Sequence, residues 1–198
     1  GMPKIVDHDQ RRREIVEVTW RFIAREGIEK LNLRDLAAAA GYSNGAFKPY
    51  FPTRDALLVA TFRYVAEATD KRIARKCQGQ TGIAAIEAFA REVLPLDELR
   101  RNEARIAVHF WHLALGDRAL AAVNAGTMDR WRTLVDQWLE QLLGPDHPTA
   151  PVARDSMINF LMGAQTSSVL DEAVNTADAL EAQLQYRLEA LRSLRAAE

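Results

Sequence analysis

Residues 33–47 read Leu33-Arg34-Asp35-Leu36-Ala37-Ala38-Ala39-Ala40-Gly41-Tyr42-Ser43-Asn44-Gly45-Ala46-Phe47, and the rest of the chain is best read outward from them. Ala, Leu and Arg are strong helix formers, so residues 33–40 predict a short helix. Gly41 can take the positive φ of a tight turn. Ser43 then caps a second short helix over 44–50, and small Ala residues let the two helices cross closely. Leu36, Tyr42 and Phe47 supply the little core between them. This is the helix-turn-helix pattern, whose second helix enters the major groove of DNA N-terminus first. Gly45 inside that helix costs about 1 kcal/mol relative to Ala, which close backbone approach to DNA would explain. The same residues also suit a plain helical hairpin.

The flanking sequence gives helix signals throughout. Upstream, Ile15, Val18, Phe22 and Ile23 recur at helical spacing within about 9–26, and Gly27 ends that segment. Asn32 with Asp35 predicts an N-cap for the helix at Leu33. Downstream, Thr53 caps a long helix from Arg54 to about Lys76. Thr81 is expected to cap the next, which ends near Pro95. Asp97 and Asp117 start two more, to about Leu115 and Leu143. Gly144-Pro145-Asp146-His147-Pro148 is a loop, and helices over about 149–170 and 178–195 follow, the last capped by Asp178 with Glu181. No strand pattern, repeat or low-complexity segment interrupts this. The expectation is an all-α chain, with a helix-turn-helix domain over 8–54 and a ligand-sensing and dimerisation helical domain over 55–198.

The segment after the turn makes the reading more specific. Tyr50-Phe51-Pro52-Thr53-Arg54-Asp55-Ala56-Leu57-Leu58 runs straight into a helix start. In the order helix, Gly27, short helix ending Ala-Gly, Ser43-Asn44-Gly45, Tyr50-Phe51, then a basic-acidic-small-Leu-Leu run, about 11–62 resembles TetR-family transcriptional regulators. The resemblance implies double-stranded DNA as partner, a palindromic operator, a homodimer and a small-molecule effector. It puts Arg34, Ser43, Asn44, Gly45, Lys48 and Tyr50 toward DNA. It also sets Thr53 and Arg54 against a phosphate at the long helix's start, where free N–H groups favour anions. Lys48 stands where the family usually has Tyr, Pro49 where it often has His, and Leu33 where many members have Thr. Pro49 lacks an N–H and crowds the preceding turn, so it predicts a shortened or bent recognition helix. Arg11, Arg12 and Arg13 are either a second phosphate footprint or a solvated first turn.

Residues 104–143 resemble, more loosely, the ligand-sensing domain of BetI-like members: Arg105 before Phe110-Trp111, an Asp117-initiated helix, then Trp131-Arg132. An effector pocket is expected from Phe89, His109, Trp111, His112, Met128, Trp131, Asn159 and Gln165, few polar groups among apolar walls. Plain core packing is the alternative for each Trp. His109 and His112 lack an obvious third metal ligand, so no metal and no cofactor is expected. Leu180, Leu184, Leu188 and Leu191 form an apolar stripe, buried against a second copy by resemblance or within the monomer otherwise.

Charge and composition bound the alternatives. Residues 1–76 carry 15 basic and 10 acidic side chains, net +5, and the remainder is net −6, so a polyanion suits one end only. No apolar run approaches the ~18 residues of a membrane span. The single Cys77 excludes an intramolecular disulfide and a Cys-based metal cage. Gly1 ahead of Met2 reads as a cleavage remnant, and the expected location is the cytoplasm. No catalytic set is evident, so an enzyme is not expected. A small helical enzyme or a ligand-binding protein without DNA binding is the alternative to a repressor released from its operator by an effector.

Overall fold

Helix α1, Pro3–Glu26, ends where Gly27 takes φ 92°. This is the left-handed region that glycine enters without a steric penalty. The computed structural model describes residues 3–196, with side chains from Asp7 to Arg195; Gly1 and Met2 lie outside them. A 3-10 turn, Ile28–Lys30, leads to α2, Leu33–Ala39. The Asn32 side chain accepts from the Asp35 N–H at 2.8 Å and donates to the Asp35 carboxylate at 2.7 Å, the capping pair that the sequence predicts. Gly41 turns the chain at φ +80°. The long helix α3, Arg54–Cys77, begins at Thr53, whose hydroxyl accepts from the Ala56 N–H at 3.1 Å.

The chain falls into two compact units, 1–67 and 68–198, divided inside α3. The sequence suggests a boundary after Arg54, at the start of this helix. In the first unit Ile15, Phe22, Ile23, Leu36, Phe47, Phe51 and Leu57 are buried, while Val18 is half-buried. The second unit holds α4 (Gly82–Val93), α5 (Glu98–Ala114), α6 (Arg118–Leu143), α7 (Ala150–Leu170) and α8 (Ala177–Ala196). There α7 packs on α5 and α6, and α4 packs on α6 and α8. The architecture is all-α, as the sequence predicts, with no strand among the described residues. Asp97 and Asp117 cap α5 and α6 as expected.

Three local expectations are corrected. No side-chain cap comes from Thr81; the Gly82 N–H donates instead to Gln141 Oε1 of α6 at 2.8 Å. Helix α8 is capped by Thr176, which accepts from the Ala179 N–H. Glu181 pairs instead with Arg91 of α4. The Leu180, Leu184, Leu188 and Leu191 stripe is buried within the monomer, in one core with Phe89, Trp131 and Leu161. The side of α8 available to a second copy is therefore a different one.

A charged cluster is embedded in the second unit. Arg72 of α3 donates to Glu92 of α4 at 3.1 Å and to Glu103 of α5 at 2.7 Å. Glu92 also accepts from Arg100 at 2.7 Å, and Thr69 donates to Glu103. Both glutamates are buried. Burial pushes the Glu103 carboxyl above the ordinary glutamate value despite its bond to Arg72.

Two outcomes follow from this packing. Gly41→Ala forces an L side chain into the left-handed region and lowers unfolding free energy by about 1–2 kcal/mol in urea titration; an unchanged midpoint contradicts the geometry. Arg72→Met leaves two buried carboxylates short of a partner and costs about 3 kcal/mol by the same assay. Glu103 carries a pH signature. Its folded pKa is raised, so its contribution to stability is fully present below the ordinary glutamate range and is lost as pH rises through the raised value. Glu103→Gln flattens that part of the stability profile; a wild-type slope in this variant contradicts the assignment.

Candidate nucleic-acid interface and effector bundle

Residues 44–50 are a chain of turns rather than an α-helix. The Ala46 N–H donates to Ser43 O, Lys48 N–H to Gly45 O and Tyr50 N–H to Phe47 O, each three residues back. Two residues cause this. Pro49 has no N–H to return to the Gly45 carbonyl. Gly45 itself sits at φ +82°, which no regular right-handed helix contains. The expected second short helix is thus replaced, in the direction that Pro49 predicts. Gly45 is accounted for by its own backbone angle before any ligand is invoked.

Side chains from elsewhere in the first unit hold this segment. Phe47 and Phe51 are buried. Tyr42 meets Phe47 edge-on, ring centroids 5.2 Å apart. Arg11 donates to the Tyr42 hydroxyl. Arg12 donates to the Tyr50 carbonyl at 2.8 Å and lies over the Phe51 ring, 4.3 Å from its centroid. Arg54 donates to the carbonyls of Leu31 and Ile28 at 2.7 and 3.0 Å, at the end of the 3-10 turn. Arg11 and Arg12 therefore brace this segment, a role that the sequence does not suggest. Arg54 and Thr53 likewise serve the scaffold: the guanidinium ties the loop before α2, and the hydroxyl caps α3.

What remains on the surface is a short polar edge. Arg34, Ser43, Asn44, Gly45 and Lys48 are exposed, and Tyr50 is half-buried with its ring 4.8 Å from His8. Arg13 is exposed as well. Backbone and small polar groups flanked by cations suit contact with a phosphate backbone and with base edges.

In the second unit the expected pocket residues separate. Phe89, Met128, Trp131 and Gln165 are buried. Trp131 meets Phe89 edge-on at 5.4 Å, and Trp138, one heptad on, meets it at 5.7 Å. The Trp131 indole N–H is buried without an acceptor, a state that costs about 1–3 kcal/mol. His112 and Asn159 are exposed and do not join this group; each lies on the outward side of its helix. Trp111 is half-buried and its indole donates to Asn124 at 2.9 Å. His109 is half-buried. Among the described residues no three His, Cys, Asp or Glu side chains form a metal-holding group. No described helix is long and apolar enough to cross a membrane.

A cleft of about 370 Å³ between α3 and α6 has Trp131 of the expected pocket in its wall; sequence reasoning missed its α3 side, Ile73, Ala74 and Cys77. Its wall includes Cys77, half-buried, whose thiol is pushed above its ordinary pKa first by burial and then by Glu92.

Comparison with known proteins agrees with this geometry. Residues 83–193 match the family described as BetI-type transcriptional repressor, C-terminal, and residues 15–61 match the bacterial regulatory proteins of the tetR family. The chain is 44% identical over 72 residues to the HTH-type transcriptional regulator PksA of Bacillus subtilis, a match covering 36% of this chain and 35% of PksA. It is 26% identical over 192 residues to the HTH-type transcriptional regulator BetI of Pseudomonas aeruginosa, covering 92% and 98% of the two chains. A transcriptional regulator from Saccharomonospora viridis, solved in complex with choline, superposes with a TM-score of 0.79 at 19% identity, covering 91% of this chain and 96% of that one. These relatives are transcriptional regulators and not enzymes. The two matches together cover most of the chain: it belongs to the tetR family of transcriptional regulators, with a C-terminal part of the BetI type.

Proposed function

We propose that this protein is a homodimeric repressor that binds a palindromic operator through residues 43–50 and leaves it when a small molecule occupies the second unit. The observation that carries this reading is the exposed edge of Ser43, Asn44, Gly45 and Lys48 on a segment pinned from behind by Arg11, Arg12 and Phe47. A rigid polar edge suits recognition, because little ordering remains to be done on binding. Asn44 and Lys48 are assigned base edges. Arg34 and Tyr50 are assigned phosphates, with the free N–H groups at the start of α3 as a further anion contact.

A dimer follows from the geometry of helix-turn-helix binding, in which two reading segments must reach half-sites about one turn, ~34 Å, apart. The surface offered here is the α7–α8 face. Val152 is 69% and Tyr186 78% exposed. They border a groove of about 320 Å³ that also includes Ser156, Arg187, Ala190 and Leu194. Effector release requires that the ligand bind the DNA-incompetent state more tightly than the other.

Titration of the DNA flanking its own gene, at low salt, is the direct test. Asn44→Ala is expected to weaken specific binding by about tenfold and relax preference at one position. Lys48→Ala is expected to weaken binding and reduce its salt dependence. Absence of any specific complex on that DNA overturns the proposal. Separately, Ala190→Glu on the α7–α8 face is expected to halve the mass seen by sedimentation from a dimer to the 22.2 kDa chain; a variant that stays dimeric moves the interface elsewhere.

A further inference from the structure

We propose that the α3–α6 cleft is the effector site and that its ligand is an uncharged, mainly apolar ring compound bearing a hydrogen-bond acceptor. This rests on the effector-responsive reading above and specifies the ligand's chemistry. The walls are Ile73, Ala74 and Cys77 from α3 and Trp131, Leu134 and Trp138 from α6. A volume near 370 Å³ lies within the roughly 300–1,000 Å³ of small-molecule sites. Two indoles facing short aliphatic groups form a slot suited to a flat ring.

Charge decides the class. The cleft's two ionic side chains, Asp70 and Arg130, pair with each other at 3.2 Å. Neither leaves an uncompensated charge for an ionic ligand. Cys77 stays protonated at neutral pH, since its thiol is raised by burial, so that wall is neutral as well. A quaternary ammonium relies on an aromatic cage or a free carboxylate; here the two indoles stand on the α6 wall alone, facing aliphatic groups rather than further rings, and the carboxylate is taken. The chain therefore differs in expected ligand class from the Saccharomonospora viridis regulator that was solved with choline. The unpartnered Trp131 N–H supplies a reason for an oxygen on the ligand. A ring that enters far enough to present one satisfies a donor that otherwise has no acceptor.

Cys77 is the sole cysteine of the chain, which makes the site its own reporter. The experiment measures the rate of Cys77 alkylation by iodoacetamide in the full-length protein without DNA, at pH 7, with increasing 2-naphthol or choline. The expected result is a saturable slowing of at least fivefold with 2-naphthol and none with choline. Ala74→Trp fills the cleft from an exposed position and is expected to abolish the 2-naphthol effect, with circular dichroism and thermal unfolding confirming that it folds. Unchanged alkylation with 2-naphthol, equal or stronger protection by choline, or protection that survives in folded Ala74→Trp overturns the proposal. The readout needs no DNA, so it stands or falls apart from operator binding. Protection without release of bound DNA upholds the site and refutes effector control.

Discussion

Pro49 has no N–H, and Gly45 occupies a left-handed backbone angle. Between them they remove the ladder of bonds that would make residues 44–50 a self-supporting helix. The Gly45 carbonyl takes its bond from Lys48 at 3.3 Å instead. A few side chains of the first unit compensate for that loss. Phe47 and Phe51 anchor the segment from inside. Arg11 and Arg12, both on α1, hold it at Tyr42 and at the Tyr50 carbonyl. Arg54 fixes the preceding loop by its bonds to Ile28 and Leu31. Three of the cations that the sequence offers to DNA, Arg11, Arg12 and Arg54, help to keep a short, irregular edge in one shape.

The second unit is held differently. Its core is apolar, but α3, α4 and α5 meet through Arg72, Glu92, Glu103 and Arg100. A buried ionic cluster contributes little net stability compared with an apolar replacement of the same shape, because desolvation offsets attraction. Its geometric demand is strict, however. Arg72 satisfies two carboxylates only when α3 stands in one register against α4 and α5. The cleft wall begins at the next residue, Ile73, and continues to Cys77 at the end of α3, so it is held in that same register.

Much of the fold was legible because its signals are local. Asn32 with Asp35, Thr53, Asp97 and Asp117 each cap a helix within three residues, and Gly27 and Gly41 mark ends through their own backbone angles. Pro49 was readable for the same reason. Two failures are local, the caps expected from Thr81 and from Asp178 with Glu181; the others are long-range. Arg11 meets a residue 31 positions on, Arg12 one 38 on, and Arg54 carbonyls 23 and 26 back; nothing in spacing reveals such pairs. The Leu180–Leu191 stripe announces burial but not against what, and the monomer core claims it. His112 and Asn159 have the chemistry of pocket lining, yet the rotation of their helices turns them outward. Residues 72, 92, 100 and 103 carry no shared motif, since only packing brings them together.

The central claim is that a pinned, turn-built segment is the surface that meets DNA. Hydrogen–deuterium exchange of the full chain, free and saturated with the DNA flanking its gene, tests it most directly. The account predicts added protection concentrated in residues 43–51 and at the start of α3, with the α7–α8 face unchanged. Exchange across 43–51 that is the same in free and DNA-saturated protein would contradict it.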